Sequence, residues 1–294
     1  MCDLYGVAPE VVAHDLHPEY LSTKFAADLA LEQFAVQHHH AHIASCMLEH
    51  ERLEPVIGIT FDGLGFGPDG TLWGGEFLLA DLRGFERLGH LAPITMPGGV
   101  AAIREPWRMA VAWADAAGVD APFEDSRLQA VADLAARRVG PVTTSMGRLF
   151  DAIAALLGLH PTVAYEAQAA IALESAALSV DRAEAPSYPM DISIGGGQFV
   201  LDPRPLIAAA VTDHRAGLPV EVVATGVHEA IGRASAKIAA RLADQHGVSA
   251  VALSGGVFQN VRLSEIIEEQ LTVRGLEVLR HHEIPANDGG ISLG

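Results

Sequence analysis

The sequence predicts an α/β fold, because short apolar segments typical of strands alternate with segments whose apolar residues recur at helical spacing. Three strand-like segments, at 55–62, 72–82 and 85–91, precede a long stretch with a mainly helical pattern. The chain has 294 residues, of which 50% are hydrophobic and 19% are charged. A chain of this size and composition can bury a substantial core, and we expect it to form two lobes.

Composition excludes several classes of function. The formal net charge of −18 disfavours a nucleic-acid partner, since no stripe of Lys and Arg offsets the repulsion from phosphates. No apolar run approaches the roughly 20 residues needed to cross a bilayer, and no signal peptide is evident, so we expect no membrane partner and a cytoplasmic location. With only Cys2 and Cys46 available, any metal is expected to use histidine and carboxylate ligands.

The first part of the chain predicts two short strands, each leading into a helix. Residues 10–15 are typical of a short buried strand, and His17-Pro18-Glu19 is expected to open a helix. Residues 34–36 form the second strand, and the helix after it is expected to cover 41–48. Between the second strand and its helix lies the most distinctive part of the sequence.

Four histidines lie at this junction, in the sequence Gln37-His38-His39-His40-Ala41-His42. His38 and His42 are four residues apart, which on a helix places both imidazoles on one face, close enough to share a metal ion. Ligands of open α/β sheets bind at the carboxyl ends of strands, so this position favours a metal site. The alternative is a solvated polar turn at a helix start.

A second candidate site follows an apolar strand. The segment 55–62 ends on Asp62 and enters a glycine-rich turn, from which we expect a hairpin through Pro68-Asp69-Gly70 to the strand 72–82. A third antiparallel strand is expected at 85–91. An aspartate at a strand tip, where glycines allow close backbone approach, suits a metal or a phosphate. An aspartate that caps the turn is an equally good interpretation.

The middle of the chain predicts a mainly helical block. Helices are expected at 107–118, 121–140, 152–157, 164–178 and 223–246. Two further segments, 191–201 and 218–223, are candidates for short strands or loops. The segment 181–189 contains two prolines and several acidic residues, so we expect an exposed loop there.

The last part of the sequence predicts two strands around a glycine turn. A strand at 249–253 runs into Ser254-Gly255-Gly256 and then into a helix. A Gly-Gly turn before a helix presents backbone N–H groups to an anion, so a phosphate fits here, although the turn alone is a weak signal. A strand at 276–279 precedes Asn287-Asp288-Gly289-Gly290.

Six segments in order carry a family resemblance that spans essentially the whole chain. They are His-His-His-Ala-His at 38–42, Phe-Asp-Gly-Leu-Gly-Phe-Gly at 61–67, Pro-Gly-Gly-Val-Ala-Ala-Ile-Arg-Glu-Pro-Trp-Arg at 97–108, Ser-Met-Gly-Arg-Leu-Phe-Asp at 145–151, Leu-Ser-Gly-Gly-Val-Phe-Gln-Asn at 253–260 and Asn-Asp-Gly-Gly-Ile-Ser-Leu-Gly at 287–294. Together they resemble the C-terminal domain of HypF, the carbamoyltransferase of nickel–iron hydrogenase maturation. That domain is similar to TsaD-type tRNA threonylcarbamoyl transferases and to antibiotic O-carbamoyltransferases. The resemblance implies the two-lobed actin/Hsp70-like ATPase fold (ASKHA, ribonuclease-H-like).

The resemblance also implies an activity and a set of site residues. Carbamoyl phosphate and ATP would give carbamoyl-adenylate, and this domain would move the carbamoyl group to the C-terminal cysteine thiol of a HypE-like acceptor protein. A divalent metal, Fe²⁺ or Zn²⁺, would be held by His38, His42 and Asp288, with Asp62 pointing into the same site and one position left for water or substrate. The nucleotide, with which Mg²⁺ is compatible, would lie between the lobes. Its expected contacts are Gly147, Asp151, Glu166, Gly255, Gly256 and Asn260.

The proton of the attacking thiol needs an acceptor, and the histidines beside the metal pair are candidates. An unperturbed imidazole titrates near neutral pH, so His39 or His40 would suit this catalytic role if its ring faced the cleft. A solvent-facing ring is the alternative for each. Neither Cys2 nor Cys46 belongs to one of the matched segments, so we expect direct transfer without a covalent carbamoyl-enzyme.

The resemblance implies a division of the chain and an incomplete first lobe. Residues 1–118 would form the first lobe, 119–280 the second, and 281–294 would return to the first lobe with Asp288. The family has a further strand hairpin, and acylphosphatase, zinc-finger and adenylate-forming domains, before this region, and a helix after it. We therefore expect a fragment, inactive alone, whose partners include those upstream domains. Val100 and Ala167 stand where an acidic residue and a glycine are expected.

Two other functions are open. The first is a TsaD-like transferase acting on tRNA, against which the acidic charge and the lack of a basic face argue. The second is a non-catalytic, actin-like nucleotide-binding scaffold. The presence of all four candidate ligands, His38, His42, Asp62 and Asp288, argues against a scaffold that has lost its chemistry.

Overall fold

A mixed sheet of nine strands lies at the centre of the described part of the chain, and a separate pair of parallel strands lies near its beginning. The computed structural model describes residues 6–123 and 127–294. The described residues form the strands β1 (Val11–Asp15), β2 (Glu32–Val36), β3 (Val56–Phe66), β4 (Leu72–Ala80), β5 (Phe85–Leu91), β6 (Ile94–Thr95), β7 (Val142–Thr143), β8 (Asp191–Gly195), β9 (Gln198–Asp202), β10 (Ala250–Ser254) and β11 (Glu277–Arg280). The predicted α/β class is confirmed.

The described residues also form ten α-helices. They are α1 (Leu21–Ala27), α2 (His38–Glu49), α3 (Ala101–Arg104), α4 (Trp107–Ala117), α5 (Leu128–Ala136), α6 (Met146–Leu156), α7 (Gln168–Leu178), α8 (Arg204–Arg215), α9 (Val220–His246) and α10 (Val261–Thr272). Part of the helix predicted at 121–140 lies outside the described residues, and α5 is the helix found there. None of the described helices is long and apolar enough to cross a membrane.

The order of the strands explains which chain segments meet. The sheet runs β11-β10-β3-β4-β5-β9-β8, with β6 and β7 attached beside β4. The strands β3, β4 and β5 form the predicted antiparallel meander, and β10 pairs with β3 in parallel. A meander of three strands extended by parallel strands is the ribonuclease-H-like arrangement that the resemblance implies. The predicted lobe boundaries at 118 and 280 stay predictions.

The central strand β3 is buried on both faces. Its residues Ile57, Ile59 and Phe61 point into the larger core, while Val56 belongs to a second cluster with Ile43 of α2. At Gly58 the helix α2 comes so close that a Cβ atom would lie 2.6 Å from Ile43 Cγ1. Burial on two faces explains the continuous apolar run, and the close approach fixes α2 against the sheet.

The small parallel pair β1 and β2 differs from expectation in its burial. The predicted strand at 10–15 is present, but it is not buried, because Val11 of β1 and Phe34 of β2 are each 51% exposed. The register pairs Asp15 with Val36, the last residues of the two strands. Parallel pairing therefore brings Asp15 beside the point where the histidine helix begins.

One prediction about the helical block is wrong in part, and one helix was not predicted. The loop expected at 218–223 covers only 218–219, because α9 begins at Val220 directly after Pro219, with Val223 buried in the core and Val220 packed against it. The helix α8 was not predicted, although Pro205 in its first turn is a common signal for a helix start. The β-branched pattern at 220–223 is overridden by tertiary packing, whereas the start of α8 agrees with its local signal.

The sequence predicted that Asp62 lies at a strand tip, and this prediction is wrong. The strand β3 continues to Phe66, and the register with β4 shifts between Phe61 and Gly65. An irregularity of this kind leaves residues outside the ladder and redirects side chains. Asp62 is thus a residue of a bulge inside a long strand rather than of a turn.

Candidate metal centre

Four ligand atoms converge at one point of the described structure. The Nε2 atoms of His38 and His42 and one carboxylate oxygen each of Asp62 and Asp288 all lie within 4.8 Å of one another. His38 Nε2 is 3.1 Å from Asp62 Oδ2 and 3.4 Å from Asp288 Oδ1. His42 Nε2 is 3.8 Å from Asp62 Oδ2 and 3.4 Å from Asp288 Oδ1. Two helix residues, one strand residue and one loop residue form the group.

The two histidines are placed by the start of α2. Gln37 is the N-cap residue, and its side-chain oxygen accepts a hydrogen bond of 2.9 Å from the backbone N–H of His40. The helix therefore begins at His38, three residues before the predicted start, and both His38 and His42 lie in its first turns. Their rings are 4.9 Å apart, centroid to centroid. Both imidazoles lie on one helix face, as predicted, with their ring planes 78° apart.

Asp62 is held from two sides at the bulge of β3. Its Oδ1 accepts a hydrogen bond of 3.1 Å from the backbone N–H of Gly256, and its backbone carbonyl accepts one of 3.0 Å from Ser145 Oγ. With Oδ1 occupied, Oδ2 faces the histidines. Gly65 completes this arrangement, since a Cβ atom there would lie 2.4 Å from His39 Cε1 and 3.0 Å from His38 Cδ2.

Asp15 is a further member of the site that the sequence did not indicate. Its Oδ2 accepts a hydrogen bond of 2.7 Å from Nδ1 of His38. With Nδ1 bound to Asp15, Nε2 of His38 points at Asp62 and Asp288. A carboxylate that orients a ligating histidine in this way is common around protein metals. Its position at the carboxyl end of a strand is the signal that could have identified it.

The charges of the group depend on one another. Burial opposes the protonation of His38, but the carboxylates of Asp15, Asp288 and Asp62 outweigh it and raise its pKa to about 12. Burial also opposes protonation of His42, yet Asp288 and Asp62 raise its pKa. The two imidazoles in turn hold the pKa of Asp288 below its usual value. Carboxylates that stabilise positive charge here are as well suited to a divalent cation.

The donor set fits a divalent metal. His42 Nε2 is buried without a hydrogen bond of acceptable geometry, which is costly unless another partner is supplied. Ligands about 2.1 Å from a tetrahedral ion are about 3.4 Å from one another, close to the distances between these four side chains. Two imidazoles and two carboxylates suit Fe²⁺ or Zn²⁺. The exposed side of Asp288 leaves one face of the group open to solvent.

Neither candidate base reaches the ligand group. His39 is fully buried, its Nδ1 accepts a hydrogen bond of 3.0 Å from Gln37 Nε2, and burial lowers its pKa. His40 Nε2 donates a hydrogen bond of 2.7 Å to the carbonyl of Asp81, and its ring lies against Phe85. Positions one and two residues after His38 point away from its helix face. In this arrangement neither ring is placed to accept the proton of an incoming thiol.

Four of the six predicted nucleotide contacts surround the bulge of β3. Gly256 donates to Asp62, and a Cβ atom at Gly255, whose φ is +101°, would lie 2.3 Å from the Phe61 carbonyl oxygen. A Cβ atom at Gly147 would lie 3.1 Å from Gly63 Cα. Glu166 lies close by, with Oε1 3.7 Å from the position that a Cβ atom would take at Gly63. These residues and the metal group therefore share one region.

The remaining two predicted contacts have internal partners. Asp151 is buried, forms an ion pair of 3.0 Å with Arg148 and accepts a hydrogen bond from the backbone N–H of Ala170. Asn260 caps α10, because its Oδ1 accepts a 2.9 Å hydrogen bond from Leu263 N, and its amide donates to His228 Nε2 at 2.9 Å. A structural role accounts for both side chains as they stand.

Comparison with known proteins decides the family. The model of the second subdomain of the carbamoyltransferase Kae1-like domain matches residues 58–294, and the HypF Kae1-like domain model matches residues 1–49. The chain belongs to the HypF carbamoyltransferase family. Both matched regions contain ligand candidates, His38 and His42 in the first and Asp62 and Asp288 in the second.

The relatives include proteins of known name and one solved structure. The chain is 41% identical to carbamoyltransferase HypF of Rhodobacter capsulatus over 99% of its own length, and 40% identical to a carbamoyltransferase HypF homolog of Cupriavidus necator over 97%. A crystal structure of full-length HypF in the phosphate- and nucleotide-bound form superposes with a TM-score of 0.93 at 39% identity, over 99% of this chain. The predicted fold is confirmed by this similarity.

The chain spans less than half the length of two of these relatives. It spans 39% of the Rhodobacter capsulatus protein and 46% of the solved HypF, but 76% of the Cupriavidus necator homolog.

Proposed function

We propose that this chain performs the carbamoyl-transfer step of HypF. The carbamoyl group would move from carbamoyl-adenylate, made from carbamoyl phosphate and ATP, to the C-terminal cysteine thiol of a HypE-like acceptor protein. The observation that carries this proposal is the group of His38, His42, Asp62 and Asp288 directly beside the Gly255-Gly256 turn. In a family of carbamoyltransferases, this arrangement combines ligands for a Lewis acid with a turn suited to phosphate.

The four ligand residues would hold Fe²⁺ or Zn²⁺. When bound, the metal supplies a Lewis acid that stabilises negative charge developing on a carbamoyl or phosphate oxygen. Asp62 has a double task, because one carboxylate oxygen faces the histidines while the other holds the backbone of Gly256. It thereby fixes the distance between the ligand group and the glycine turn.

The nucleotide would lie along the bulge of β3. Gly147, Glu166, Gly255 and Gly256 surround this region, and the three glycines, which lack a Cβ atom, would let a phosphate approach the backbone closely. The phosphate- and nucleotide-bound state of the solved relative supports an ATP-dependent reaction, in which Mg²⁺ would accompany the phosphates. Asp151 and Asn260 would act indirectly, by fixing α6 and α10.

The acceptor thiol would attack without a covalent enzyme intermediate. Cys46 is fully buried, and burial raises the pKa of its thiol to about 12, so it is a poor nucleophile. Cys2 lies outside the described residues. The acceptor sulfur would attack the carbonyl carbon, the bond from that carbon to the adenylate oxygen would break, AMP would leave, and the thiol proton would pass to solvent.

The other parts of the proposal concern partners and location. We expect the acceptor protein and the additional domains of longer HypF proteins to be partners, in the cytoplasm. Nucleic acid is not expected, because the net charge of −18 repels phosphate backbones.

A transfer assay tests the proposed function. The metal-loaded chain, attached to the remaining domains of a longer HypF if it is inactive alone, receives synthetic carbamoyl-adenylate and an acceptor tail peptide ending in cysteine. Mass spectrometry should detect a peptide heavier by one carbamoyl group. His42→Ala should abolish the product, while His246→Ala, at the exposed end of α9, should leave it unchanged. Product formation that His42→Ala does not reduce would refute the proposal.

A further inference from the structure

Asp288 differs from the other ligand residues in how it is supported. His38 and His42 lie on α2 and Asp62 lies on β3, whereas Asp288 lies on the irregular segment that follows β11. Its side chain is 67% exposed, so packing does little to fix it. A ligand on a loop is precise only where contacts elsewhere hold that loop.

The last residue of α2 provides such a contact. The carboxylate of Glu49 accepts hydrogen bonds from the backbone N–H groups of His282, at 2.7 Å, and Glu283, at 2.6 Å. Its second oxygen accepts a hydrogen bond of 2.9 Å from His281 Nδ1. The Glu49 side chain is 9% exposed. Although burial favours its protonated form, these donors lower its pKa to about 2.

His281 links Glu49 to the glycine turn through a second hydrogen bond. With Nδ1 donating to Glu49, its Nε2 accepts a hydrogen bond of 2.8 Å from Ser254 Oγ. A chain of Ser254, His281 and Glu49 resembles a hydrolase triad, but Ser254 is fully buried and no substrate can reach it. This series of hydrogen bonds therefore connects the ends of β10, β11 and α2.

Two further bonds hold the loop nearer to Asp288. The backbone N–H of Gly255 donates to the carbonyl of Ala286 at 3.0 Å, and Ser45 Oγ of α2 donates to the carbonyl of Gly290 at 3.1 Å. Ser45 and Glu49 lie one helical turn apart on α2, and both bind the loop. The helix that carries two ligands thus also holds the segment that carries the fourth.

We propose that Glu49 is a positioning residue of the metal centre, which anchors the segment 281–290 on α2 so that Asp288 meets His38 and His42. The inference rests on the proposed metal centre. Without the anchor, three hydrogen-bond donors at the start of the loop lose their acceptor, and the Ser45 bond to Gly290 is left to hold the segment near Asp288 on the histidine helix. Loss of a partner bound directly to a metal ligand weakens metal binding by about 10–100-fold, and we expect a comparable loss when the loop that carries Asp288 loses its anchor.

Zinc titration and amide exchange together test this role. In Glu49→Ala, calorimetry with Zn²⁺ alone should give a dissociation constant about 10–100-fold higher than in the unmodified chain. Hydrogen exchange should accelerate at 282–290 and stay unchanged in β3 and α9. In Glu49→Gln, one acceptor oxygen remains for the two backbone donors, so a smaller loss is expected. A general loss of stability would instead accelerate exchange throughout the chain.

Matched variants separate this inference from the metal centre itself. Glu268→Ala removes a carboxylate that pairs with Arg280 just before the same loop, and it should leave zinc affinity unchanged. If His42→Ala does not weaken zinc binding, the metal centre and this inference both fail. If His42→Ala does weaken it while the Glu49 variants bind zinc as the unmodified chain does, only the positioning role is overturned. Should Glu49→Ala not fold, Glu49→Gln decides by the same two measurements.

Discussion

Single hydrogen bonds decide which atom each ligand residue presents. His38 turns Nε2 toward the other ligands because Asp15 holds Nδ1, and Asp62 turns Oδ2 toward them because the Gly256 amide holds Oδ1. Gly256 is far from Asp62 in sequence, and Asp15 belongs to a strand that shows no unusual sequence pattern. The sequence predicted the four candidate ligands but not the residues that orient them.

Removal of the Asp15 carboxylate should weaken the metal centre without unfolding the protein. We expect Asp15→Asn to raise the zinc dissociation constant by about 10–100-fold, because a neutral amide is a weaker partner for His38 Nδ1 and polarises the ring less. Calorimetric titration with Zn²⁺ measures the change. Asp28→Asn, at the exposed end of α1, is the control and should have no effect. Equal affinities in all three proteins would show that Asp15 does not orient His38.

At the scale of elements, α2 is the part on which the site depends. Gln37 caps its start, and the helix packs on β3 at Gly58. The two candidate ligands His38 and His42 lie in its first turns. The sequence predicted this helix from its apolar and small residues and predicted the strands β3, β4 and β5 from apolar runs bounded by glycine and proline. Those features are local, so local patterns suffice.

Other features depend on contacts that no local pattern contains. The Val-Glu-Val-Val start of α9 has the β-branched content of a strand, yet it is helical, with Val223 buried in the core and Val220 packed against it. Ala167 has a φ of +61°, which fits the expectation of glycine at that position. The bulge at Asp62 and the loop carrying Asp288 become visible only in three dimensions; the family resemblance, and no spacing rule, linked Asp288 to the histidines.

The contact between α9 and α10 predicts a dependence of stability on pH. Burial lowers the pKa of His228 to about 4, so its imidazole is neutral at pH 7 and accepts the Asn260 amide hydrogen. The unfolded chain takes up this proton near pH 6.5, so the contribution of His228 is complete above that pH and is lost as pH falls toward 4. A shift from 6.5 to about 4 corresponds to about 3 kcal/mol.

Urea unfolding at several pH values checks this expectation. Between pH 7 and pH 4.5, the unmodified chain should lose more unfolding free energy than His228→Gln, because the variant has no imidazole to protonate. The comparison between the two proteins cancels the contribution of the carboxylates that titrate in the same range. Parallel losses in both proteins would mean that His228 is not held neutral by its surroundings.

At the scale of the whole molecule, the topology of the sheet assembles the site. The parallel pairing of β3 with β10 places Asp62 beside the turn at Gly255-Gly256, and the pairing of β10 with β11 returns the chain to α2. Ser45 and Gly290, which are 245 residues apart in sequence, are in direct contact as a result. Ligands from both ends of the chain therefore meet only in the folded protein, and the metal centre depends on tertiary structure.

Anomalous diffraction from zinc-soaked crystals of this chain tests the central claim most directly, because it locates the ion rather than counting it. The account predicts one dominant peak at the zinc edge, about 2.0–2.2 Å from His38 Nε2, His42 Nε2 and a carboxylate oxygen of Asp62 and of Asp288. His42→Ala crystals should lack this peak. A dominant peak elsewhere, with the four side chains still paired to one another, would contradict the assignment of these residues as the metal centre.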